Sequence, residues 1–251
     1  MSVIIPCYNM GRYLQDALDS VYDYKSGDIE IIVVNDGSTD PDTLSLLHDL
    51  EVKGVNILHQ ANQGLSAARN NGIKQAKGEF LLPLDADNKI RPAYIEKGIE
   101  ILNKNNDVAI VYSDAMFFGE KKGVWKSIPF SLRRLLQYNY IDACVVIRKK
   151  AWEQVNGYDV NISAVADWDF NLSIAEAGWK LHYIPEVLFD YRVVGNSMIR
   201  TRDIESIRFC EDYIAKKHGA SYRKFFKEQI TLRGHLKYIF IDLWDAVIGR
   251  R

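Results

Sequence analysis

The sequence predicts an α/β fold, a mostly parallel sheet flanked by helices, and three observations carry that prediction. Short runs rich in apolar and β-branched residues recur at 2–6, 29–34, 55–58 and 80–84. Each has the length of a buried strand, and a segment with helical spacing follows each one. Such alternation requires crossover connections, which favour parallel strands covered on both faces. The loops at Tyr8, Asp36, Asn62 and Asp85 all leave strand carboxyl ends, where open α/β sheets bind ligands, so one crevice receives all four.

In chain order, residues 2–6 form the first strand, and Cys7 to Gly11 a loop before a helix with apolar residues Leu14, Ala17, Leu18 and Val21. The second strand, 29–34, ends in Asn35-Asp36-Gly37-Ser38. Asp40 as N-cap and Pro41 at the first helical position then start a helix whose buried face is expected at Leu44, Leu47 and Leu50. Residues 55–58 are a third strand, and 62–72 lead into a helix closed by a glycine. After the fourth strand, 93–102 is helical and 108–112 a strand. Residues 113–140, with Gly119, Gly123, Trp125 and Pro129, read as a loop-rich insert facing the acceptor together with 139–146. A strand at 143–147 is followed by a helix at 149–155 ended by Asn156-Gly157, a helix at 167–176 ended by Gly178, and short strands at 181–184 and 187–191.

A chain of 251 residues suits one large domain with an appendage. Hydrophobic residues make 47% and charged residues 26%, and the net charge of −1 excludes a polycation directed at nucleic acid. Charge is uneven: 12 Lys/Arg face 7 Asp/Glu from Arg200 onward. Cys7, Cys144 and Cys210 are too scattered for a disulfide framework or a zinc site and suit a reducing compartment. No leader and no apolar run of the roughly 20 residues that span a bilayer is expected. The expected location is therefore cytoplasmic, with peripheral contact at the inner membrane face.

The stretch from Gly78 to Asn88 delivers Asp85 and Asp87 from an apolar strand into a loop. Side chains two apart on extended backbone share a face. Two carboxylates held together repel, and a hard divalent cation, Mg2+ or Mn2+, relieves that repulsion while completing its shell with substrate phosphates.

Taken in order, Val3-Ile4-Ile5-Pro6-Cys7-Tyr8-Asn9, Ile32-Val33-Val34-Asn35-Asp36-Gly37-Ser38, Asn62 to Asn70, Leu84-Asp85-Ala86-Asp87, Asn156-Gly157-Tyr158-Asp159 and Asp167-Trp168-Asp169-Phe170 resemble a family 2, GT-A fold nucleotide-sugar glycosyltransferase. The resemblance spans 1–199, a nucleotide-sugar-binding half at 1–113 and an acceptor half at 114–199, with 200–251 a helical, basic extension. It implies a metal on Asp87, with Asp85 reaching it through water or holding the ribose. Asp36 would accept from the base beside the Pro6-Cys7-Tyr8 loop, and Asn62, Arg69 and Ala86 would lie along the donor. For Arg69 a surface helix charge is an equal alternative. Asp167 matches the catalytic aspartate and would act as the base, since an acceptor hydroxyl is too weak an acid to ionise alone; direct displacement then inverts the anomeric centre. A competing use of Asp167 or Ser163 is to cap the helix that follows. Trp168 and Asp169 would contact the acceptor, a saccharide or lipid-linked molecule, with the Trp168 ring as a stacking platform.

Two departures from the family pattern stand out. Ala166 precedes Asp167 where many relatives have Glu, and Val193-Val194 follow Tyr191-Arg192 where many carry a metal-side histidine, leaving Asn196 and Ser197 as substitutes. These motivate a rival reading, a nucleotide-sugar-binding partner without turnover. A sugar nucleotidyltransferase or a Rossmann dehydrogenase would need a Gly-rich loop after strand one, and residues 7–11 offer a single glycine. Between Lys216 and Lys237 there are 7 Lys/Arg and one acid. The segment 216–251 is thus either a docked helix or an interfacial membrane anchor.

Overall fold

The computed structural model describes residues 1–162, 165–195 and 204–225, without the side chains of 204, 205 and 207. The strands are β1 (Ser2–Cys7), β2 (Glu30–Asp36), β3 (Asn56–Gln60), β4 (Phe80–Pro83), β5 (Lys89–Ile90), β6 (Val108–Gly119), β7 (Gly123–Trp125), β8 (Val146–Arg148) and β9 (Lys180–Val193). The helices are α1 (Gly11–Tyr22), α2 (Pro41–Val52), α3 (Leu65–Gln75), α4 (Pro92–Lys104), α5 (Leu132–Leu135), α6 (Lys149–Gln154), α7 (Ala166–Glu176), α8 (Ile204–Lys217) and α9 (Gly219–Phe225).

One sheet runs β3-β2-β1-β4-β8-β6-β9-β5, with β7 paired to β6. Pairing is parallel from β3 to β4; β8 then enters antiparallel between β4 and β6, and β6 pairs β9 in parallel. Alternation along β1 shows why both faces are dry. Ile4 joins the apolar layer under α3 and α7, whereas Val3 and Ile5 join the layer under α1 and α4. Gly72 lets α3 lie flat on the sheet, because a Cβ there would stand 2.6 Å from Ile4 Cγ2 and 2.9 Å from Val34 Cγ2.

Four expectations change. Residues 113–140 are less irregular than predicted, since β6 continues to Gly119 and turns into β7; Gly119 (φ +87°) and Gly123 (φ +130°) supply the backbone freedom for this ribbon. The two short strands after α7 are one strand, β9, whose register against β6 shifts around Ser113 and Asp114. The strand expected at 143–147 is β8, paired only over Val146–Arg148. Leu44 is 42% exposed, and Thr43 is buried instead: its Oγ1 donates to Asp40 Oδ2 and accepts from Gly11 N, tying α2 to α1. The cap of α2 by Asp40 is as predicted, with its carboxylate accepting from Thr43 N at 2.9 Å.

Of the extension, 204–225 docks on the domain: Cys210 and Ile214 are buried in the same apolar layer as Trp168 and Phe170. Residues 226–251, and with them most of the suggested anchor, lie outside the described residues. Among the described residues no helix is long and apolar enough to cross a membrane.

Candidate active site

The crevice is built by loops locked to one another. Asn9 (φ +54°) accepts from Thr39 N at 2.7 Å and Asp40 N at 2.9 Å through Oδ1, which fixes the loop after β1 against the loop after β2 and leaves Tyr8 47% exposed at its tip. Asp36, at the end of β2, is 4% exposed; its carboxylate accepts from Gln60 Nε2, Gln63 N and Gly64 N at 2.8, 2.8 and 2.9 Å. About four lone-pair positions exist on a carboxylate, so about one remains for a ligand. Asn62 is exposed beside it. Gly37 (φ +70°) is required there, since a Cβ would meet Asn62 N at 2.6 Å.

Arg69 on α3 is 2% exposed, which removes the surface-charge alternative, and its Nη2 donates to Asp85 Oδ1 at 2.6 Å. Burial works against its charge, but Asp85, Tyr158 and Asp167 outweigh it and hold the guanidinium firmly protonated. The ring of Tyr158 lies 5.5 Å below it. Asn70 clamps that residue in place, donating to Tyr158 O at 2.7 Å and accepting from Tyr158 N at 2.9 Å. Arg69 Nε and the Tyr158 hydroxyl are buried without a hydrogen-bond partner among the described residues.

Asp87 takes no hydrogen bond from another residue's side chain among those described. Burial, then the charge of Asp85, push its carboxyl up to about 6. Its backbone is fixed from β9: Arg192 Nε donates to Asp87 O at 2.9 Å, Arg192 N donates to Asn88 Oδ1 at 2.9 Å, and the guanidinium lies 4.6 Å from the ring of Tyr13 and 4.3 Å from that of Phe118. Arg192 thus serves the turn from this strand. Asn196 and Ser197 fall outside the described residues. No group of three or more potential metal-ligating side chains occurs among the described residues. The donor set still fits a hard cation: Asp87, which feels the charge of Arg192 but forms no ion pair among the described residues, stands next to Asp85, already paired, and leaves room for phosphate and water oxygens.

Asp167 opens α7. The cap position is Val165, a β-branched residue at φ +50°, with no side-chain cap bond, so Asp167 is not used as a cap. Strain at such a residue persists only where the surroundings enforce it. Burial raises the Asp167 carboxyl; Arg69, the amide of Asn139 and the Trp168 N–H partly offset this, and Asp85 adds to it. Asn139 Nδ2 donates to Asp167 Oδ2 at 2.8 Å.

Asp142 escaped sequence reasoning as a site residue. It stands on the 139–146 segment with Oδ1 accepting from Cys144 N at 2.8 Å. Burial and then Asp85, with a smaller contribution from Asp167, push its carboxyl up to about 8. The Tyr191 hydroxyl is likewise raised, by burial and then by Asp142, Asp85, Asp87 and Asp167 together. The carboxylates of Asp85, Asp142 and Asp167 and the phenol of Tyr158 therefore all interact with one buried guanidinium.

Ala86 is 4% exposed with its side chain in the apolar layer. Two expected acceptor contacts are corrected. Trp168 is 8% exposed and packs in the core, its indole N–H donating to Leu135 O, because the helical turn carries it away from Asp167. Asp169 is 1% exposed and turned toward the extension: Oδ1 meets His218 Nε2 at 3.0 Å and Oδ2 accepts from Lys217 Nζ at 2.8 Å. His218 also meets Glu176 Oε2 at 2.7 Å, and Lys217 also binds Asp159 at 2.9 Å. A clasp therefore joins α8 to the helix that carries Asp167.

A family model described as Glycosyl transferase family 2 matches residues 2–154. The putative glycosyltransferase EpsH of Bacillus subtilis is 27% identical over 216 residues, covering 80% of this chain and 62% of its own length; the chain thus spans under two thirds of that relative. Solved structures similar in fold include S. aureus TarS 1-349 in complex with UDP-GlcNAc, with TM-score 0.67, 17% identity, and coverage of 94% of this chain and 76% of that one. Another is the mannosyltransferase PcManGT of Pyrobaculum calidifontis in complex with GDP-Man and Mn2+, with TM-score 0.61, 18% identity, and coverage of 89% and 64%.

Proposed function

Because this chain belongs to glycosyl transferase family 2, we propose that it moves a sugar from a nucleoside diphosphate, UDP first among the candidates, to a hydroxyl of a saccharide or lipid-linked acceptor, with inversion. The observation that carries this reading is the buried Arg69, which pairs with Asp85 at 2.6 Å and interacts electrostatically with Asp167. The carboxylate pair after β4 and the carboxylate opening α7 therefore share one cleft.

The acceptor oxygen attacks the anomeric carbon as the bond to the diphosphate oxygen breaks, and its proton passes to Asp167. Asp36, Pro6 and Tyr8 shape the base pocket, with Asn62 at its rim; Arg69 and the backbone at Ala86 line the donor, and Asp85 orients the ribose. Asp87 would hold Mn2+ or Mg2+, with Asp85 reaching it through water, and the ion would supply charge neutralisation for the departing diphosphate. The complexes of TarS with UDP-GlcNAc and of PcManGT with GDP-Man and Mn2+ support a donor and a metal of these classes. Residues 1–199 form the transferase unit, with 200–251 as its extension.

A panel of nucleotide sugars tested by thermal shift with manganese should yield at least one that raises the melting temperature, as a ligand binding only the folded state must. The same compound should release nucleoside diphosphate when acceptor is added. A panel in which no nucleotide sugar shifts the transition argues against the reading. Manganese affinity is expected to fall as pH is lowered through about 6, because a proton on Asp87 then competes with the metal. Calorimetry of manganese binding between pH 5 and pH 8 checks this, and a flat profile would remove Asp87 as the ligand.

A further inference from the structure

Asp167 is oriented from an unexpected direction. Its neighbour Ala166 is 7% exposed and brings no polar group, so nothing on the preceding residue steadies the carboxylate. Asn139, in the segment between α5 and β8, does so from across the cleft, its Nδ2 donating to Asp167 Oδ2 at 2.8 Å. The carboxamide is itself pinned: Asn139 Oδ1 accepts from Ile141 N at 3.3 Å, which turns the NH2 rather than the carbonyl toward the acid. The flanking Tyr140 is 5% exposed, and its hydroxyl accepts from Ser131 N at 2.9 Å, so the segment presenting Asn139 is anchored at its neighbour.

We infer that Asn139 is the positioning residue of the proposed base, replacing the support that Ala166 lacks and committing Oδ2 so that Oδ1 receives the acceptor proton. This rests on the reading of Asp167 as that base. An amide donor favours the charged carboxylate and so keeps a buried acid ready to accept a proton. The other groups facing Asp167 are Arg69, Asp85, Asp142, Tyr158 and Tyr191. Of these Arg69 is the sole cation, and it is already bonded to Asp85. Asn139 is therefore the one side chain that hydrogen-bonds Asp167 among the described residues.

The test uses the full-length protein as wild type, Asn139→Ala, Asn139→Asp and Asp167→Asn. Carbon-detected NMR titration of the Asp167 carboxyl reads the contact directly, and nucleoside diphosphate release from UDP-GlcNAc, UDP-glucose or GDP-mannose with manganese reads its consequence. Asn139→Ala should titrate Asp167 at higher pH than wild type, lower kcat by about 10-fold or more as expected for a misplaced reacting group, and leave donor Kd within about twofold. Asn139→Asp should shift the titration further upward, since a like charge replaces a donor. An unchanged Asp167 titration in both variants overturns the inference, and because two substitutions of different character are compared, a folding defect in one does not hide the answer. If Asp167→Asn abolishes turnover while Asn139→Ala behaves as wild type, this inference alone fails. If Asp167→Asn turns over normally, the assignment of the base fails with it.

Discussion

Asp167→Asn is expected to cut turnover by about 10²–10⁴-fold, the usual contribution of a general base, while donor affinity stays within about twofold. The separation follows from the geometry. Asp167 lies at the start of α7, where Asn139 holds one oxygen, whereas Asp36 ends β2 and Asp85 and Asp87 follow β4, with Asp85 paired to Arg69. An amide at position 167 keeps the size of the side chain but removes its negative charge, and with it the ability to accept a proton. Calorimetry with the donor and a nucleoside diphosphate release assay separate the two quantities. Loss of donor binding in step with turnover would recast Asp167 as a binding residue.

Asp169→Ala is expected to destabilise the protein by about 3–5 kcal/mol, as removal of one member of a buried ion pair does, which for a chain of this size lowers the melting temperature by roughly 10 °C. Asp169 and His218 are 1% and 2% exposed in side chain, and the same carboxylate also receives Lys217. Removing it strands the imidazole and the ammonium on the flank of α7. The pH dependence has a definite sign. Burial lowers the His218 pKa, but hydrogen bonds donated to Asp169 and Glu176 overcome this and raise it above 6.5. The stability it contributes is therefore complete below pH 6.5 and disappears as pH rises through its folded value. Urea melts of wild type and His218→Gln across this range should converge at high pH; a constant difference would mean that the clasp acts without the proton.

Much of residues 1–113 is legible in the sequence because local rules and tertiary structure agree there. Strands β1, β2 and β4 are buried on both faces and so read as unbroken apolar runs, and Asp40-Pro41 marks the start of α2 chemically. Asp36 and Asp85 fall where strand ends deliver them, so their shared crevice follows from topology. Arg69 is ambiguous in sequence because a helix charge has no intrinsic direction; only the approach of α3 to the sheet through Gly72 turns it inward.

Residues 114–199 are less legible because their contacts are long-range. Asn139 and Asp167 are 28 residues apart, and nothing in the segment before β8 marks its amide as a partner for α7. Asp142 looks like an ordinary turn acid until the fold sets it near Asp85. Asp169 lies two residues beyond Asp167, a spacing that separates two side chains on a helix by about 200° of rotation. The one faces the cleft and the other faces His218.

The most direct test is a crystal structure of the protein with manganese and a non-hydrolysable nucleoside diphosphate sugar. The expected result places the diphosphate between Asp87 and Arg69, the metal on Asp87, and the Asp167 carboxylate facing the anomeric carbon from the side opposite the leaving oxygen. A diphosphate bound away from Asp87, or an anomeric carbon that Asp167 cannot reach from that side, would contradict the account.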